Sequence, residues 1–142
     1  MNESKEATYL CGAMEGVTSS DMRGWREKAT AFLALRGIKT LDPTRRAIYH
    51  STEMDVNKAN RILKMDLQDI AHSRVVLADL RDSMPGKKWG SVMEVAFAQT
   101  KHKIIITVLD KEQFEHPFIR SYSTEIHYSL EDALEAVAEY YV

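Results

Sequence analysis

Apolar runs of strand length alternate with amphipathic stretches of helical period along the whole chain. Ala7 to Ala13 reads as a first strand, and the small, polar stretch from Gly12 to Ser20 after it reads as a ligand-facing loop. Trp25, Ala29, Phe32 and Leu33 recur at helical spacing between about Asp21 and Arg36, with Gly37 as the stop expected at a helix C-terminus. Ile38 to Leu41 is extended again, and Asp42-Pro43 ends it. A basic, irregular segment from Thr44 to Thr52, with Arg45, Arg46, Tyr49 and His50, leads into a long helical pattern from about Glu53 to Ala71 carried by Val56, Ile62, Leu63, Leu67 and Ile70. Arg74 to Leu80 forms the next strand; a loop with Asp82, Ser83, Pro85 and Gly86 follows, and a helix begins near Ser91. Lys103 to Leu109 is apolar on both faces, as a buried parallel strand is. Asp110 to Thr124 reads as a polar and aromatic loop, Glu125 to Tyr128 as a short last strand, and Ser129-x-x-Asp132 opens a final amphipathic helix through Tyr141.

Strands alternating with helices predict an α/β domain with a mostly parallel sheet and right-handed crossovers. Five strands in 142 residues point to a flavodoxin-like three-layer sandwich, with residues 1–142 as a single domain large enough for a real core. The sequence has no Gly-x-Gly-x-x-Gly after the first strand and no Gly-x-x-x-x-Gly-Lys-Ser/Thr, so neither a dinucleotide dehydrogenase nor a phosphate-loop NTPase is supported.

Charge narrows the picture further. With 19 basic and 21 acidic residues interspersed and a net charge of -2, the chain lacks the one-sided basic excess of nucleic-acid or membrane-surface proteins, and small-molecule chemistry fits better. Cys11 is the only cysteine, which excludes an intrachain disulfide and a cysteine-rich metal site; its apolar setting suggests a buried strand thiol. The polar stretch Met1 to Glu6 carries no apolar signal core and no window reaches membrane-spanning length, so the expected location is the cytoplasm. The five histidines, His50, His72, His102, His116 and His127, show no metal-ligand spacing, and no metal or organic cofactor is expected.

The candidate chemistry is carboxylate chemistry. Glu94 stands in the first helical turns after the third strand and its loop, where parallel sheets gather their ligands, and Val92, Met93, Val95 and Phe97 would desolvate it. Ser91 and Glu94 are also spaced as a Ser-x-x-Glu capping box, in which the glutamate only stabilises the helix start; position alone leaves the two readings even. Asp66 and Asp69, three apart near the end of the second helix, share a face beside a negative helix terminus. A polar ligand or an arginine such as Arg61 or Arg74 would offset that repulsion, and for Asp69 the arginine is favoured. Asp42 and Asp79 each end a strand on the cleft side, Asp42 with the alternative of a turn. Arg45 and Arg46 leave the same edge and are candidates for binding a phosphate or carboxylate, or are simply solvated. Tyr9 either brings a phenol to this edge or fills the core.

Three blocks together resemble a known group. Tyr9-Leu10-Cys11-Gly12-Ala13-Met14-Glu15-Gly16, then Asp66-Leu67-x-x-Ile70-x-x-Ser73-x-Val75-Val76, then Asp79 with Gly90-Ser91-Val92-Met93-Glu94-Val95-Ala96-Phe97-Ala98 are similar to the nucleoside 2-deoxyribosyltransferase superfamily, which includes the 2′-deoxynucleoside 5′-monophosphate N-hydrolases. The resemblance covers most of the chain in order, is most specific at the block ending in Glu94, and tips the balance against the capping box. It implies that Glu94 is the nucleophile on the anomeric carbon, that Asp66 binds or protonates the base, and that Tyr9 orients Glu94. It further implies that Gly12 lets the first loop approach the substrate, that Asp79 and Ser91 line the sugar pocket, and that the protein is a homo-oligomer. The implied partner is a nucleoside or nucleotide, with no nucleic-acid polymer and no membrane.

The sequence also departs from this pattern. Glu15, Val17, Thr18 and Ser19 stand where the N-hydrolases have a basic, glycine-rich loop for the 5′-phosphate, and Arg45, Arg46, Ser83, Ser121 and Ser123 are the alternative phosphate groups. The C-terminus offers only phenols and a carboxylate for base transfer. Two rival readings are a catalytically silent nucleotide-binding module on the same fold and an NAD glycohydrolase. Trp25, Trp89 and Phe118 are candidates for either an interface or the core.

Overall fold

Strand β1 (Ala7–Gly12) lies inside the sheet because every one of its side chains is buried, so nothing polar has to be turned to water on either face. The computed structural model of the protein describes residues 7–14, 17–46, 48 and 53–142. Met1 to Glu6, Glu15, Gly16, Tyr49 and His50, all named from the sequence, lie outside the described residues. The other strands are β2 (Lys39–Leu41), β3 (Val75–Asp79), β4 (Ile104–Val108) and β5 (Glu125–His127). They pair in the order β2-β1-β3-β4-β5, parallel throughout. This is the flavodoxin-like order, and its topological switch falls between β1 and β3.

The helices are α1 (Ser19–Ala34), α2 (Val56–Ala71), α3 (Trp89–Thr100), α4 (Pro117–Tyr122) and α5 (Leu130–Glu139). One face of the sheet packs on α1 and α5 through Leu10, Leu77 and Ile106 against Ala29, Leu33 and Leu134. The other packs on α2, α3 and α4 through Tyr9, Val76 and Ile105 against Ile70, Val95 and Ile119. The alternation of Tyr9 and Cys11 against Leu10 is the two-residue period of a strand and assigns Tyr9 and Cys11 to the α2/α3 side.

Local chemistry explains the helix limits. Thr18 accepts the Asp21 N–H to start α1, Asp55 accepts the Lys58 N–H to start α2, and Ser129 accepts the Asp132 N–H to start α5. Gly37, at φ 73°, ends α1: its N–H bonds to the Ala34 carbonyl and that of Ile38 to the Leu33 carbonyl. Asp42 turns the chain by accepting the Thr44 N–H, opening a 3₁₀ turn at Pro43–Arg45.

Two sequence expectations change. The segment expected as a loop from Asp110 to Thr124 contains α4, opened by Pro117 at its first position and by His116, whose Nδ1 accepts the Phe118 N–H. Six residues are too few to register a helical period. Helix α3 starts at Trp89 rather than near Ser91; Lys88 is its cap residue and no side chain caps it. Ser91 and Glu94 therefore stand inside the helix, and the capping-box reading is excluded by geometry.

Candidate active site at the switch point

Tyr9 and Cys11 sit two residues apart on β1, with Val76 and Ala78 of β3 as register partners, and both face α3. That places the phenol and the thiol beneath the inward face of α3, where Ser91, Glu94, Val95 and Ala98 are buried. The Tyr9 hydroxyl donates to Glu94 Oε2 at 3.0 Å. The Cys11 thiol donates to the Ser91 carbonyl at 3.5 Å. Asp66, buried on α2, hydrogen-bonds Glu94 as well. Three residues from two elements, Tyr9 and Cys11 of β1 and Asp66 of α2, thus surround the carboxyl group of Glu94, a residue that is 9% exposed.

The electrostatics follow from this crowding. Burial, then the charge and hydrogen bond of Asp66, push Glu94 up to about 8, while the donors Cys11 and Tyr9 pull in the other direction. Burial and the neighbouring Asp66 thus favour the protonated form of Glu94, and the two carboxyl groups titrate as a pair. Burial and the neighbouring Glu94 push the Cys11 thiol well above its ordinary value, so it is a neutral donor rather than a nucleophile. An arrangement with one ionised and one protonated carboxyl can supply both a nucleophile and an acid.

No protein-family model matches the chain, and no curated protein matches it in sequence. Solved structures do match. The 2-deoxyribosyltransferase of the psychrotolerant bacterium Bacillus psychrosaccharolyticus has a TM-score of 0.73 at 14% identity, over 93% of this chain and 95% of that one. The 2-deoxyribosyltransferase from Leishmania mexicana gives 0.72 at 16% identity, over 96% and 99%. The CMP N-glycosidase of Clostridium botulinum gives 0.61 at 15% identity, over 92% and 97%. The chain has their fold.

On this fold the remaining sequence candidates divide. Gly12, register partner of Asp79, stands at the switch point, but its lack of a side chain serves the protein itself: a Cβ there would lie 2.6 Å from Trp25 Cζ2. Asp79 is buried and both its oxygens are taken by Arg81, from Nε and from Nη2, each at 2.8 Å. A narrow depression beside it is walled by Ala13, Val17, Trp25, Asp79, Met84 and Lys88. Glu94, Asp66 and Tyr9 lie outside those walls. Asp69 is partnered not by Arg61 or Arg74 but by Arg45 and Arg46, each reaching both of its oxygens at 2.9–3.2 Å. Both guanidiniums are thus committed to a helix carboxylate rather than standing free at the cleft. Of the alternative phosphate hydroxyls, Ser83 bonds Asp110 at 2.7 Å and Ser123 bonds the Ile119 carbonyl at 2.6 Å. Trp25 belongs to the core at 7% exposure, whereas Trp89 and Phe118 are exposed.

Two features of this region lie outside the sequence candidates. Asp110 and Gln113 tie the loop after β3 to the loop after β4: Asp110 accepts from the Ser83 backbone and hydroxyl, while Gln113 accepts the Asp82 N–H and donates to the Leu80 carbonyl. Arg26 of α1 is fully buried and donates to the Gly12 carbonyl at 2.9 Å. A signal for Arg26 exists in the sequence, since it falls on the inward stripe Met22, Arg26, Ala29, Leu33 at helical spacing.

Proposed function

We propose that the protein is an enzyme that cleaves the N-glycosidic bond of a nucleoside or its 5′-monophosphate, with Glu94 as nucleophile. The observation that carries this reading is the buried carboxyl group of Glu94, held by Tyr9 and Asp66 at the edge where a parallel sheet of this order binds ligands. The fold shared with two deoxyribosyltransferases and a CMP N-glycosidase supports the same reaction class.

In the reactive state the negative charge of the pair rests on Glu94 and the proton on Asp66. A Glu94 oxygen forms a bond to the anomeric carbon as the bond from that carbon to the base nitrogen breaks; the electron pair leaves on the base, and Asp66 delivers the proton that neutralises it. The transition state is oxocarbenium-like, and the buried carboxylate stabilises its positive charge. Tyr9 holds the attacking carboxyl in one rotamer, so its orientation is prepaid. The glycosyl ester is then resolved by water, giving free sugar, or by a second base, giving a new nucleoside. Asp79, Ser91 and Gly12 are proposed to border the sugar.

The test incubates the protein with ribo- and deoxynucleosides and their 5′-monophosphates, with and without an acceptor base, and separates products by chromatography. Free base without acceptor supports hydrolysis, new nucleoside only with acceptor supports transfer, and both are abolished in Glu94→Ala. Absence of product from every substrate contradicts the proposal.

A further inference from the structure

Asp69, near the end of α2, is buried and held by two arginines from the segment that leaves β2. Arg46 grips it as a fork, Nη1 on Oδ2 at 2.9 Å and Nη2 on Oδ1 at 3.0 Å. Arg45 bridges: its Nη1 donates to the Asp42 carbonyl at 2.7 Å, and its Nη2 reaches both Asp69 oxygens, at 3.1 and 3.2 Å. The base of this clamp is itself fixed, because Asp42 Oδ1 accepts the Thr44 N–H at 2.8 Å and the Thr44 hydroxyl at 2.6 Å. Leu41, the last residue of β2, is the register partner of Tyr9. The clamp therefore ties α2 to the level of the sheet from which Tyr9 reaches Glu94.

Helix α2 is seated on few buried residues. They are Asp66, Asp69 and Ile70, with Leu67 partly buried in the same cluster, while Val56 and Leu63 stand exposed. Asp66 lies one turn before Asp69 on the same face of the helix and hydrogen-bonds Glu94. A buried ion pair often stabilises no better than an apolar contact of the same volume. What it adds is direction: apolar packing has none, whereas a carboxylate gripped by a guanidinium fork has one geometry.

We propose that Arg45 and Arg46 are positioning residues: through Asp69 they fix the last turns of α2 and so seat the Asp66 carboxyl against Glu94. The proposal rests on the reading of Asp66 as the acid, but its first test needs no substrate. Of the groups facing Glu94, Asp66 raises its titration midpoint while Cys11 and Tyr9 lower it. The midpoint is followed by NMR of carboxyl-¹³C glutamate in the full chain, the Glu94 signal being assigned with Glu94→Gln. In Arg45→Gln/Arg46→Gln it is expected to fall by about one pH unit, toward its value in Asp66→Asn, because Asp66 is no longer held against Glu94. Loss of two positive charges without displacement of Asp66 would raise it instead. A midpoint that rises or stays unmoved in the folded variant therefore overturns the proposal.

If that variant does not fold, adding Asp69→Asn removes the buried charge left unpaired, while the net change is still a loss of positive charge. The same two outcomes then decide, and failure of the triple variant to fold assigns the clamp to folding and overturns the proposal. In the substrate screen, Arg45→Gln/Arg46→Gln is expected to lose roughly tenfold or more on ordinary nucleosides and far less on a 7-methylpurine nucleoside, whose departing base needs no acid. Equal losses on both overturn the proposal. Failure of the proposed reaction would appear separately, as no product from wild type on any substrate with the midpoint shift intact.

Discussion

Tyr9 and Glu94 are 85 positions apart in the chain, and a 3.0 Å hydrogen bond joins the phenol to the carboxyl inside the sheet–helix interface. The bond exists because β1 runs beneath the N-terminal half of α3. Tyr9→Phe keeps the buried ring and removes only the donor. A hydrogen bond to a charged group is worth about 1.5–3 kcal/mol, so kcat is expected to fall roughly tenfold to a hundredfold with KM little changed. Steady-state kinetics and a thermal melt check this together, the melt remaining within a few degrees of wild type.

Glu94 makes stability depend on pH with a definite sign. Its ordinary value is 4.5 and its folded value about 8, so between those limits the native state binds more protons than the unfolded chain and stability falls as pH rises. The loss is on the order of a few kcal/mol and is complete above about pH 8. Glu94→Gln is expected to remove this decline and to be more stable than wild type at pH 8.5, while losing activity; urea unfolding at pH 5.5 and 8.5 reads both variants.

Asp66 is assigned the leaving-group proton. Asp66→Asn is expected to lower turnover of ordinary nucleosides by roughly 10²–10⁴, the usual worth of a general acid. On a 7-methylpurine nucleoside, whose base already carries positive charge, the same variant is expected to lose far less. Equal losses on both substrates would remove the acid role. In wild type, kcat/KM is expected to fall above about pH 8, where the pair gives up its remaining proton.

Gly12→Ala tests the packing at the switch point. The new Cβ would stand 2.6 Å from the Trp25 ring, so either the indole or the end of β1 must move. A destabilisation of about 1–3 kcal/mol is expected, as for other overpacked cores. Trp25→Phe in the Gly12→Ala background is expected to recover part of it, measured by thermal melts of the single and double variants.

The alternation of strands and helices was legible because each strand is bounded by turn residues and each long helix has an apolar stripe; only the six-residue α4, opened by Pro117, left no period to read. At the site, Glu94, Tyr9 and Asp66 could be named from the sequence, and the resemblance implies that Tyr9 orients Glu94; the residues alone do not bring them together, since that depends on which face of β1 packs on α3. Ser91-x-x-Glu94 imitates a cap and hides the true start of α3, which is Trp89. Arg45 and Arg46 looked free because their partner, Asp69, lies 23 and 24 residues away on another helix. Arg26 does not stand out in the sequence because a charged residue on a helix is ordinarily solvated. Its place on the stripe with Ala29 and Leu33 was the only indication that it points inward.

The central claim is a glycosyl ester on Glu94. A 2-fluoro-substituted nucleoside, whose fluorine destabilises positive charge at the anomeric carbon, slows both steps and allows the ester to accumulate when the leaving base is good. Intact-mass measurement of the protein after incubation, followed by peptide mapping, reads the result directly. The account predicts a mass gain equal to one fluorosugar residue on the peptide containing Glu94, absent in Glu94→Ala. Base release without any adduct, or an adduct on another residue, would contradict it.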